Sequence, residues 1–355
     1  MRLSKMTYDH CGEFTPRQDR PSAMKPRILH TTAHRPGAIA IVQLIGDSGP
    51  ILRKLTGESD WPLGKMRLVD FGDIDSGLAV RLTEDVAQLM PHGGPRVLQR
   101  LTLRLGELGA EIGDADAVDP LKIFPEAGDR IEALALHAMA RAQSPLAVEL
   151  LLDQPRRWRE LRNAGETLSA QDRERSEHLN RLIEPPVVVL AGRPNVGKST
   201  LSNALLGRSM SIAFDLPGTT RDYTAGRIDL AGLVVEWHDT PGIRATDDLI
   251  ERTAIDLARR LIARADLLIA MAAPDVDWPD LPRQPDLRVV NKTDLMTADA
   301  NLARPAHEGK DAILVSAQTG DGLAELVAAT RNALVPPADL QSPRAWVFDP
   351  RLEQM

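Results

Sequence analysis

The distribution of hydrophobic and polar residues changes character twice along this chain. Residues 1–24 are polar, contain prolines and show no periodic pattern, which predicts a disordered leader. From residue 25, short apolar runs such as 38–46 alternate with glycine- and proline-rich turns, and apolar residues at helical spacing follow Pro95. We therefore expect a small α+β domain over residues 25–120.

Leucines and alanines recur at helical spacing through residues 121–184, which predicts a helical segment ending before Pro185 and Pro186. Beyond these prolines, apolar strand-like runs alternate with helical stretches, a pattern typical of a mostly parallel, doubly wound α/β sheet. The strand-like runs are 186–192, 232–239, 266–272, 286–291 and 311–316. We assign this domain to residues 185–338, and the tail at 339–355 shows no pattern that predicts structure.

The composition is that of an ordinary globular protein, with 43% hydrophobic and 26% charged residues and a formal net charge of −7. That charge argues against a generally basic surface that coats nucleic acid. No apolar run approaches the roughly 18 residues of a membrane helix, no apolar signal segment begins the chain, and Cys11 is the single cysteine. We expect a cytoplasmic protein with no membrane partner.

The strongest chemical signal lies between the first strand of the α/β domain and the helix that follows. Residues 192–199, Gly-Arg-Pro-Asn-Val-Gly-Lys-Ser, fit the phosphate-binding pattern GxxxxGK[ST] in its required strand–loop–helix context. Lys198 is expected to contact the β- and γ-phosphates, and Ser199 to ligate Mg²⁺. Glycines let backbone N–H groups approach phosphates, and the helix N-terminus adds partial positive charge. The expected contact residues are Asn195, Val196, Gly197, Lys198, Ser199 and Thr200.

A second motif, Asp239-Thr240-Pro241-Gly242, follows the next strand-like run. Asp239 would support Mg²⁺, and the backbone amide of Gly242 would meet the γ-phosphate. The residue after this motif is Ile243, whose apolar side chain cannot orient an attacking water as the glutamine of Ras-like enzymes does. Another group must therefore do so.

A switch segment is expected between these two motifs. Residues 217–222, Pro-Gly-Thr-Thr-Arg-Asp, place Thr219 and Thr220 near the phosphates, with Thr220 as the second Mg²⁺ ligand. The alternative is a plain Pro-Gly turn.

Two motifs near the end of the domain are typical of guanine recognition. Asn291-Lys292-Thr293-Asp294 follows a strand, and Asp294 can accept hydrogen bonds from the N1–H and exocyclic amine of guanine, a donor pair that adenine lacks. Ser316 and Ala317, after the next strand, would support the base. We therefore predict a GTPase that binds GTP and GDP with Mg²⁺, and Lys198 and Thr220 are candidate catalytic residues.

Three of these stretches, GRPNVGKSTLSNALLGR, DLPGTTRD and DTPGIR, together resemble the TrmE/MnmE-type tRNA-modification GTPases of the Era-like branch. A fourth stretch, TEDVAQLMPHGGPRVL, resembles the N-terminal folate-binding domain of that family around its His-Gly-Gly turn. The resemblance covers most of residues 28–335. It implies a P-loop GTPase domain preceded by a small α+β domain and a short helical segment.

The resemblance also implies further groups at the site. Asn195 would help hold a K⁺ ion, and the backbone around Phe214, Leu216 and Thr219 would complete its cage. Glu251 would activate the attacking water, unless it is an ordinary carboxylate on a helix surface. Two copies of the chain would meet across their nucleotide faces as a homodimer in the GTP state.

The chain departs from the family where the tRNA chemistry is concerned. It ends without the C-terminal Cys-x-Gly-Lys motif of the family. Gln43 and Gln88 stand where the family has a folate-site arginine and glutamate, whose charges glutamine replaces only in part. His92, in the His-Gly-Gly turn, is expected to serve the turn alone.

Three functions stay open from the sequence. The first is a GTPase switch with a reduced role, and the second is a tRNA wobble-uridine modification GTPase that works with tRNA and an FAD-dependent partner protein. The third is a ribosome or RNA-assembly GTPase. RNA contact would then involve the basic run Arg156, Arg157, Arg159 and Arg162, although such a run is usually a solvated helix face.

Overall fold

The computed structural model describes residues 25–30, 38–208, 225–240, 258–296 and 312–355. The chain divides into two compact units, Met1–Pro125 and Glu126–Met355. In the described parts, no helix combines the length and the apolar character needed to cross a lipid bilayer.

The first unit is a mixed sheet packed against helices. Its strands are β1 Arg27–His30, β2 Val42–Ile45, β3 Arg67–Asp70, β4 Ser76–Arg81, β5 Val86–Met90 and β6 Glu111–Ile112, and its helices are α1 Gly49–Thr56, α2 Pro95–Glu107 and α3 Pro120–Ile123. The strand order is β3-β4-β5-β2-β1-β6, and only the β1–β6 pair is parallel.

Helix α2 shows why these residues form these elements. It begins at Pro95, whose ring presets the backbone angle and whose missing N–H is not needed in the first turn. Leu101 and Leu105, four residues apart, are fully buried in the main core of this unit. Glycine at 57 ends α1 in the left-handed conformation, with φ of 77°.

The second unit combines a group of three helices, a mostly parallel sheet with its own helices, and the C-terminal residues. The helices are α4 Arg130–Arg141, α5 Pro145–Asn163, α6 Ala170–Asn180, α7 Lys198–Arg208, α8 (described over 258–264), α9 Leu323–Leu334 and α10 Pro337–Gln341. The strands are β7 Val187–Gly192, β8 Ala225–Leu230, β9 Leu233–Asp239, β10 Leu267–Ala272, β11 Leu287–Val290 and β12 Ile313–Leu314.

The sheet of this unit has the order β12-β11-β10-β7-β9-β8. All neighbouring pairs are parallel except β8 and β9, which form an antiparallel hairpin. The predicted mostly parallel sheet is therefore confirmed, and β7 lies at its centre. The connection 273–286 between the parallel strands β10 and β11 contains no helix.

Helices α4 to α6 begin with side-chain caps or proline. The carboxylate of Asp129 accepts a hydrogen bond from the Glu132 N–H (2.9 Å), and Ser169 and Asp172 form a reciprocal capping box. α5 begins with Pro145 at its first position. The three helices share one hydrophobic core with the sheet and the C-terminal residues.

The C-terminal residues, for which the sequence predicted no structure, cross α5 and α6 in a defined conformation. Trp346 is fully buried. Its backbone N–H donates to Gln154 Oε1 (2.7 Å), its carbonyl accepts from Trp158 Nε1 (2.8 Å), and its indole N–H donates to Asn180 Oδ1 (2.9 Å). All three polar groups of this tryptophan are thus satisfied inside the core.

Charged side chains hold the same segment at its edges. The Arg344 guanidinium donates to Asp172 Oδ2 (3.2 Å) and to Glu166 Oε2 (2.7 Å). Arg157 Nη1 donates to the Ser342 carbonyl (2.6 Å), and Arg175 donates to the Ala345 carbonyl. We call residues 342–352 the C-terminal strap.

Candidate nucleotide-binding site

Close packing fixes the backbone of the glycine-rich loop between β7 and α7. A Cβ added to Gly192 would lie 2.8 Å from the carbonyl oxygen of Met271 on β10, and one added to Gly197 would collide with the side-chain amide of Asn291. Gly197 has φ of 92° and Asn195 φ of 67°, both in the left-handed region. The loop therefore has the tight conformation that a phosphate cradle requires.

Lys198 opens α7 and turns back into this loop. Its Nζ donates to the carbonyls of Gly192 (3.1 Å) and Arg193 (3.3 Å). Burial lowers the pKa of the Lys198 ammonium, and the nearby Asp239 carboxylate partly opposes this. Among the described residues, this buried ammonium finds negative charge only in Asp239 and in the carbonyl dipoles, and a phosphate would supply more.

Ser199 and Asp239 meet at the mouth of the loop. The Ser199 hydroxyl donates to Asp239 Oδ2 at 2.7 Å. Asp239 Oδ1 is buried and has no hydrogen-bond partner among the described residues. Burial raises the pKa of Asp239, although the Ser199 hydroxyl and Lys198 oppose the shift. A hydroxyl beside a carboxylate with an unused oxygen suits Mg²⁺, which prefers oxygen ligands.

The side chain of Asn291 joins three parts of the site. It is buried at the end of β11, where Nδ2 donates to the Val196 carbonyl (3.0 Å) and Oδ1 accepts from the Ala317 N–H (3.0 Å). The predicted glycine-rich loop, the Asn-Lys-Thr-Asp motif and the Ser-Ala loop are thus in direct contact. Lys292 follows in the left-handed conformation, with φ of 62°.

Asp294 is exposed and is therefore accessible to a nucleotide base. Its Oδ1 accepts a hydrogen bond from the buried Ser316 hydroxyl at 2.6 Å. The Thr293 N–H donates to the Val315 carbonyl (3.2 Å), which holds the two loops together. Ser316 therefore orients the carboxylate that we expect to bind guanine.

The loop after Ser316 contributes residues that the sequence analysis did not assign. The Ser316 N–H donates to the Asp321 carbonyl (3.0 Å), and the Thr319 N–H donates to the Ser316 hydroxyl (3.2 Å). Gly322 has φ of 72°, and a Cβ there would collide with the carbonyl of Leu314. The Thr-Gly-Asp-Gly turn signal at 319–322 could have identified this support.

The other predicted site residues divide into described and undescribed ones. The Thr240 hydroxyl donates to the Leu190 carbonyl (2.9 Å) and holds the end of β9 against β7, while Thr200 is exposed on α7. Outside the described residues lie Phe214, Leu216, Thr219, Thr220, Pro241, Gly242 and Glu251.

In the first unit, local hydrogen bonds hold Gln43 and His92, two of the three residues that the sequence analysis compared with the family's folate site. Gln43 is buried, and its Nε2 donates to the Ile123 carbonyl (2.6 Å). Gln88 lies directly opposite Gln43 in the β2–β5 register. Asp75 accepts hydrogen bonds from the His92 backbone N–H (2.8 Å) and contacts His92 Nδ1 at 2.9 Å, so this histidine is fixed to the chain itself.

The basic run on α5 is largely neutralised by acidic neighbours. Arg156 pairs with Asp153 (2.8 Å) and Glu160 (2.6 Å), and Arg159 pairs with Asp129 (2.7 Å). Arg157 also pairs with Asp153 at 2.6 Å and holds the C-terminal strap. These contacts favour the solvated, ion-paired helix face over an RNA-binding surface.

Comparison with known proteins places this site in a family. Residues 187–315 match the family model described as 50S ribosome-binding GTPase. Among solved structures, Aquifex aeolicus Era bound to GDP and AlF₄⁻ is 26% identical, covers 42% of this chain and 56% of its own, and superposes with a TM-score of 0.33. The predicted P-loop GTPase domain is confirmed by the family match.

Curated relatives named tRNA modification GTPase MnmE extend the match beyond this domain. The relative from Nitratidesulfovibrio vulgaris (strain DP4) is 40% identical over 47% of this chain, which spans only 38% of that protein. The relative from Acidiphilium cryptum (strain JF-5) is 34% identical over 83% of this chain and 78% of its own, and that from Pseudomonas aeruginosa (strain UCBPP-PA14) is 30% identical over 85% and 80%. The chain therefore belongs to the MnmE family of tRNA modification GTPases.

Proposed function

We propose that this GTPase binds GTP with Mg²⁺ and hydrolyses it to GDP and phosphate, and that it works as a molecular switch. The observation that carries the proposal is the contact between Ser199 and Asp239. One carboxylate oxygen accepts a hydrogen bond from the hydroxyl (2.7 Å), and the other is buried with no partner among the described residues. A buried, unsatisfied carboxylate oxygen is costly, and a bound cation would remove that cost.

In this proposal the chain's own residues divide the work. Ser199 and Thr220 would ligate Mg²⁺ with support from Asp239, and the ion would offset negative charge on the phosphates. Lys198 would leave the Gly192 and Arg193 carbonyls and bind the β- and γ-phosphate oxygens. Backbone amides of the loop from Asn195 to Gly197, together with the N-terminus of α7, would hold the remaining oxygens.

Hydrolysis needs a group that orients the attacking water, since Ile243 cannot do so. We assign this role to Glu251. A K⁺ ion held by Asn195 and by the backbone around Phe214, Leu216 and Thr219 would add positive charge near the γ-phosphate. The Thr240–Gly242 segment would contact the γ-phosphate and report its loss.

Guanine selection would rest on Asp294, oriented by Ser316, with Asn291 and Ala317 linking the base loops to the phosphate loop. The 2.6 Å hydrogen bond from Ser316 leaves Asp294 Oδ2 free of described partners. Guanine's N1–H and amine would meet the carboxylate.

The first experiment is chromatographic measurement of GTP turnover by the purified chain in K⁺ and in Na⁺, each with Mg²⁺ and with EDTA. We expect Mg²⁺-dependent turnover that K⁺ stimulates, and loss of turnover in Lys198→Ala. Arg193→Ala is the matched control, because its side chain is exposed on the same loop. Unchanged turnover in Lys198→Ala would reject this site.

A second candidate function is tRNA modification, favoured by the names of the relatives. It would involve tRNA, an FAD-dependent partner protein and a homodimer formed across the nucleotide faces. The buried Gln43, whose amide is committed to the Ile123 carbonyl, argues against a folate site of the family type.

The nucleoside profile of tRNA from cells lacking the chain tests this candidate. Loss of the wobble-uridine side chain would support modification activity. If the nucleoside profile is unchanged and the purified chain still hydrolyses GTP, the result would support a switch with another role. Size-exclusion chromatography with GDP and with GDP–AlF₄⁻ would test the homodimer.

A further inference from the structure

A second polar contact lies directly behind the Ser199–Asp239 pair. The indole N–H of Trp237 donates to the Ser202 hydroxyl at 3.0 Å. Both side chains are almost completely buried, with exposures of 1% for Trp237 and 0% for Ser202. Trp237 packs in the main hydrophobic core of the second unit, where an apolar side chain could fill the same volume without a hydrogen bond.

The sequence positions of the four residues make the two contacts parallel. Ser199 and Ser202 are three residues apart on α7 and lie on one face of the helix. Trp237 and Asp239 are two residues apart on β9, whose alternating burial places both on the inner face. Two hydrogen bonds therefore join α7 to β9. The Ser199–Asp239 bond lies at the mouth of the site, and the Ser202–Trp237 bond lies about one helical turn further along α7.

The neighbouring strand allows the close approach that this double contact requires. Gly226 on β8 lies opposite Trp237, and a Cβ added there would come within 3.3 Å of the Leu206 side chain on α7. Glycine at 226 leaves room for the Leu206 side chain of α7 to pack directly against the hairpin.

The chemistry of the Trp237–Ser202 pair suits a role in orienting α7 relative to β9 better than a role in stabilising the fold. A serine inside a helix can return its hydroxyl to a carbonyl of its own helix, and an indole can pack without a hydrogen bond at some cost. Replacing both partners of a buried hydrogen bond with apolar groups can be nearly neutral for folding. A directional bond between α7 and β9, in contrast, fixes how the helix is rotated and placed relative to the strand.

We propose that the Trp237–Ser202 hydrogen bond is a positioning contact for the metal site. It holds α7 at the height and rotation that bring the Ser199 hydroxyl to the Asp239 carboxylate, and so sets the affinity of the nucleotide site for Mg²⁺. The inference rests on the proposed Mg²⁺ site and adds two residues that would touch neither the metal nor the nucleotide.

The test measures GDP dissociation constants by competition with a fluorescent nucleotide, in excess Mg²⁺ and in EDTA. The dissociation constant in EDTA divided by that in Mg²⁺ reports the coupling between metal and nucleotide without requiring turnover. We expect Ser202→Ala to reduce this ratio about 3- to 10-fold, at or below the lower end of the effects of outer-shell partners on metal affinity. GDP binding in EDTA is expected to change less than twofold.

Trp237→Phe and the double variant complete a mutant cycle. We expect Trp237→Phe to reduce the ratio to a similar extent, and the double variant to be no worse than either single variant, because each removes the same bond. Thr330→Val is the matched control. It removes another buried hydroxyl of this unit, one that bonds only to the Leu326 carbonyl of its own helix (2.7 Å).

Three outcomes separate the possibilities. If both single variants lose thermal stability like Thr330→Val but keep the wild-type ratio, the pair is a packing contact and the proposal is wrong. A selective fall in the ratio supports it. If the wild-type chain itself shows no effect of Mg²⁺ on GDP affinity, the proposed metal site fails, and this inference with it.

Discussion

At the scale of single residues, the site keeps two opposite charges buried at a cost to the fold. Lys198 and Asp239 are each less than a tenth exposed. For both groups, burial shifts the pKa towards the neutral form more strongly than the neighbouring charge shifts it back. Stability at this position is therefore sacrificed for ligand binding, as is common at functional sites.

Neutralising Asp239 should therefore stabilise the nucleotide-free protein. Because its pKa is raised on folding, the ionised form destabilises the folded state at neutral pH. We expect Asp239→Asn in EDTA to raise the free energy of unfolding of the second unit, because Ser199 and Lys198 do not fully offset the cost of burying the ionised carboxylate. Urea unfolding followed by circular dichroism measures this change.

The same variant should lose its advantage once nucleotide and Mg²⁺ are added, because only the wild type would gain the metal-linked binding energy. Asp266→Asn is the control, since it neutralises an exposed carboxylate of the same unit whose Oδ2 accepts from the Val187 N–H (2.8 Å). A lower unfolding midpoint for Asp239→Asn in EDTA would contradict the argument.

A change at Asp294 should alter which base is bound. Asp294→Asn replaces an acceptor by a donor opposite the guanine amine, so GDP affinity should fall about 10- to 100-fold, the cost of losing hydrogen bonds to a charged group. Affinity for XDP should rise, because xanthine carries a carbonyl at that position. Competition binding with both nucleotides measures the switch, and unchanged GDP preference would mean that another residue reads the base.

The described motif residues that the sequence singled out lie close together in the structure, whereas the contacts that support them were not predicted, for a physical reason. Lys198, Asp239 and Asn291 lie in motifs whose spacing follows from strand ends meeting at one edge of a parallel sheet. The Trp237–Ser202 contact has no such signature, because no local pattern relates a residue on α7 to one 35 positions later.

At the scale of elements, the C-terminal strap is the largest feature that the sequence did not predict. Its contacts with α5 and α6 join residues 166 to 192 positions apart. It forms neither a strand nor a long helix, and side chains rather than backbone ladders hold its backbone. A periodicity analysis has nothing to detect in such a segment, whereas it predicted β7, β10 and α7 from their apolar patterns.

Truncating the central residue of the strap should destabilise the second unit. Trp346→Ala removes a fully buried indole and is expected to cost about 3–5 kcal/mol, the usual range for Trp→Ala in a core. Urea unfolding measures the loss. Trp278→Ala is the control, since that side chain is only partly buried. A loss for Trp346→Ala well below this range would mean that the strap contributes little.

The ion pair beside the strap should give stability a defined pH dependence. Burial disfavours the Asp172 charge, but Arg344 and Ser169 outweigh it and lower the pKa of Asp172 to about 2. A carboxylate with a lowered pKa stabilises the fold above its unfolded pKa of 3.8, and this contribution is lost as the pH falls through the folded value.

We therefore expect Asp172→Asn to be less stable than the wild type by a constant amount above about pH 5, with the difference shrinking from about pH 4 towards pH 2. Midpoints of urea unfolding across this range measure the difference. Asp339→Asn, which alters the neighbouring contact with His178 (2.7 Å), serves as a comparison. A difference that stays constant down to pH 2 would contradict the assignment.

At the scale of the whole molecule, the chain has two compact units with separate hydrophobic cores. Every described residue of the nucleotide site belongs to the second unit. The ligand should therefore stabilise one unit and not the other.

We expect calorimetry to resolve two unfolding transitions, of which only one rises in temperature when GDP and Mg²⁺ are added. At a ligand concentration 100 times the dissociation constant, the shift corresponds to about 2.7 kcal/mol. Trp346→Ala should lower that same transition. A single transition that shifts as a whole would show that the two units unfold cooperatively.

The position of the strap also affects how the chain is made. Helices α5 and α6 leave the ribosome well before Trp346, whose partners Gln154 and Asn180 precede it by 192 and 166 residues. At about 5–20 residues per second, these helices wait on the order of 10 to 40 s for the segment that completes their core. The sheet of this unit is synthesised in that interval, so the helices made first in this unit are the last to have their core completed.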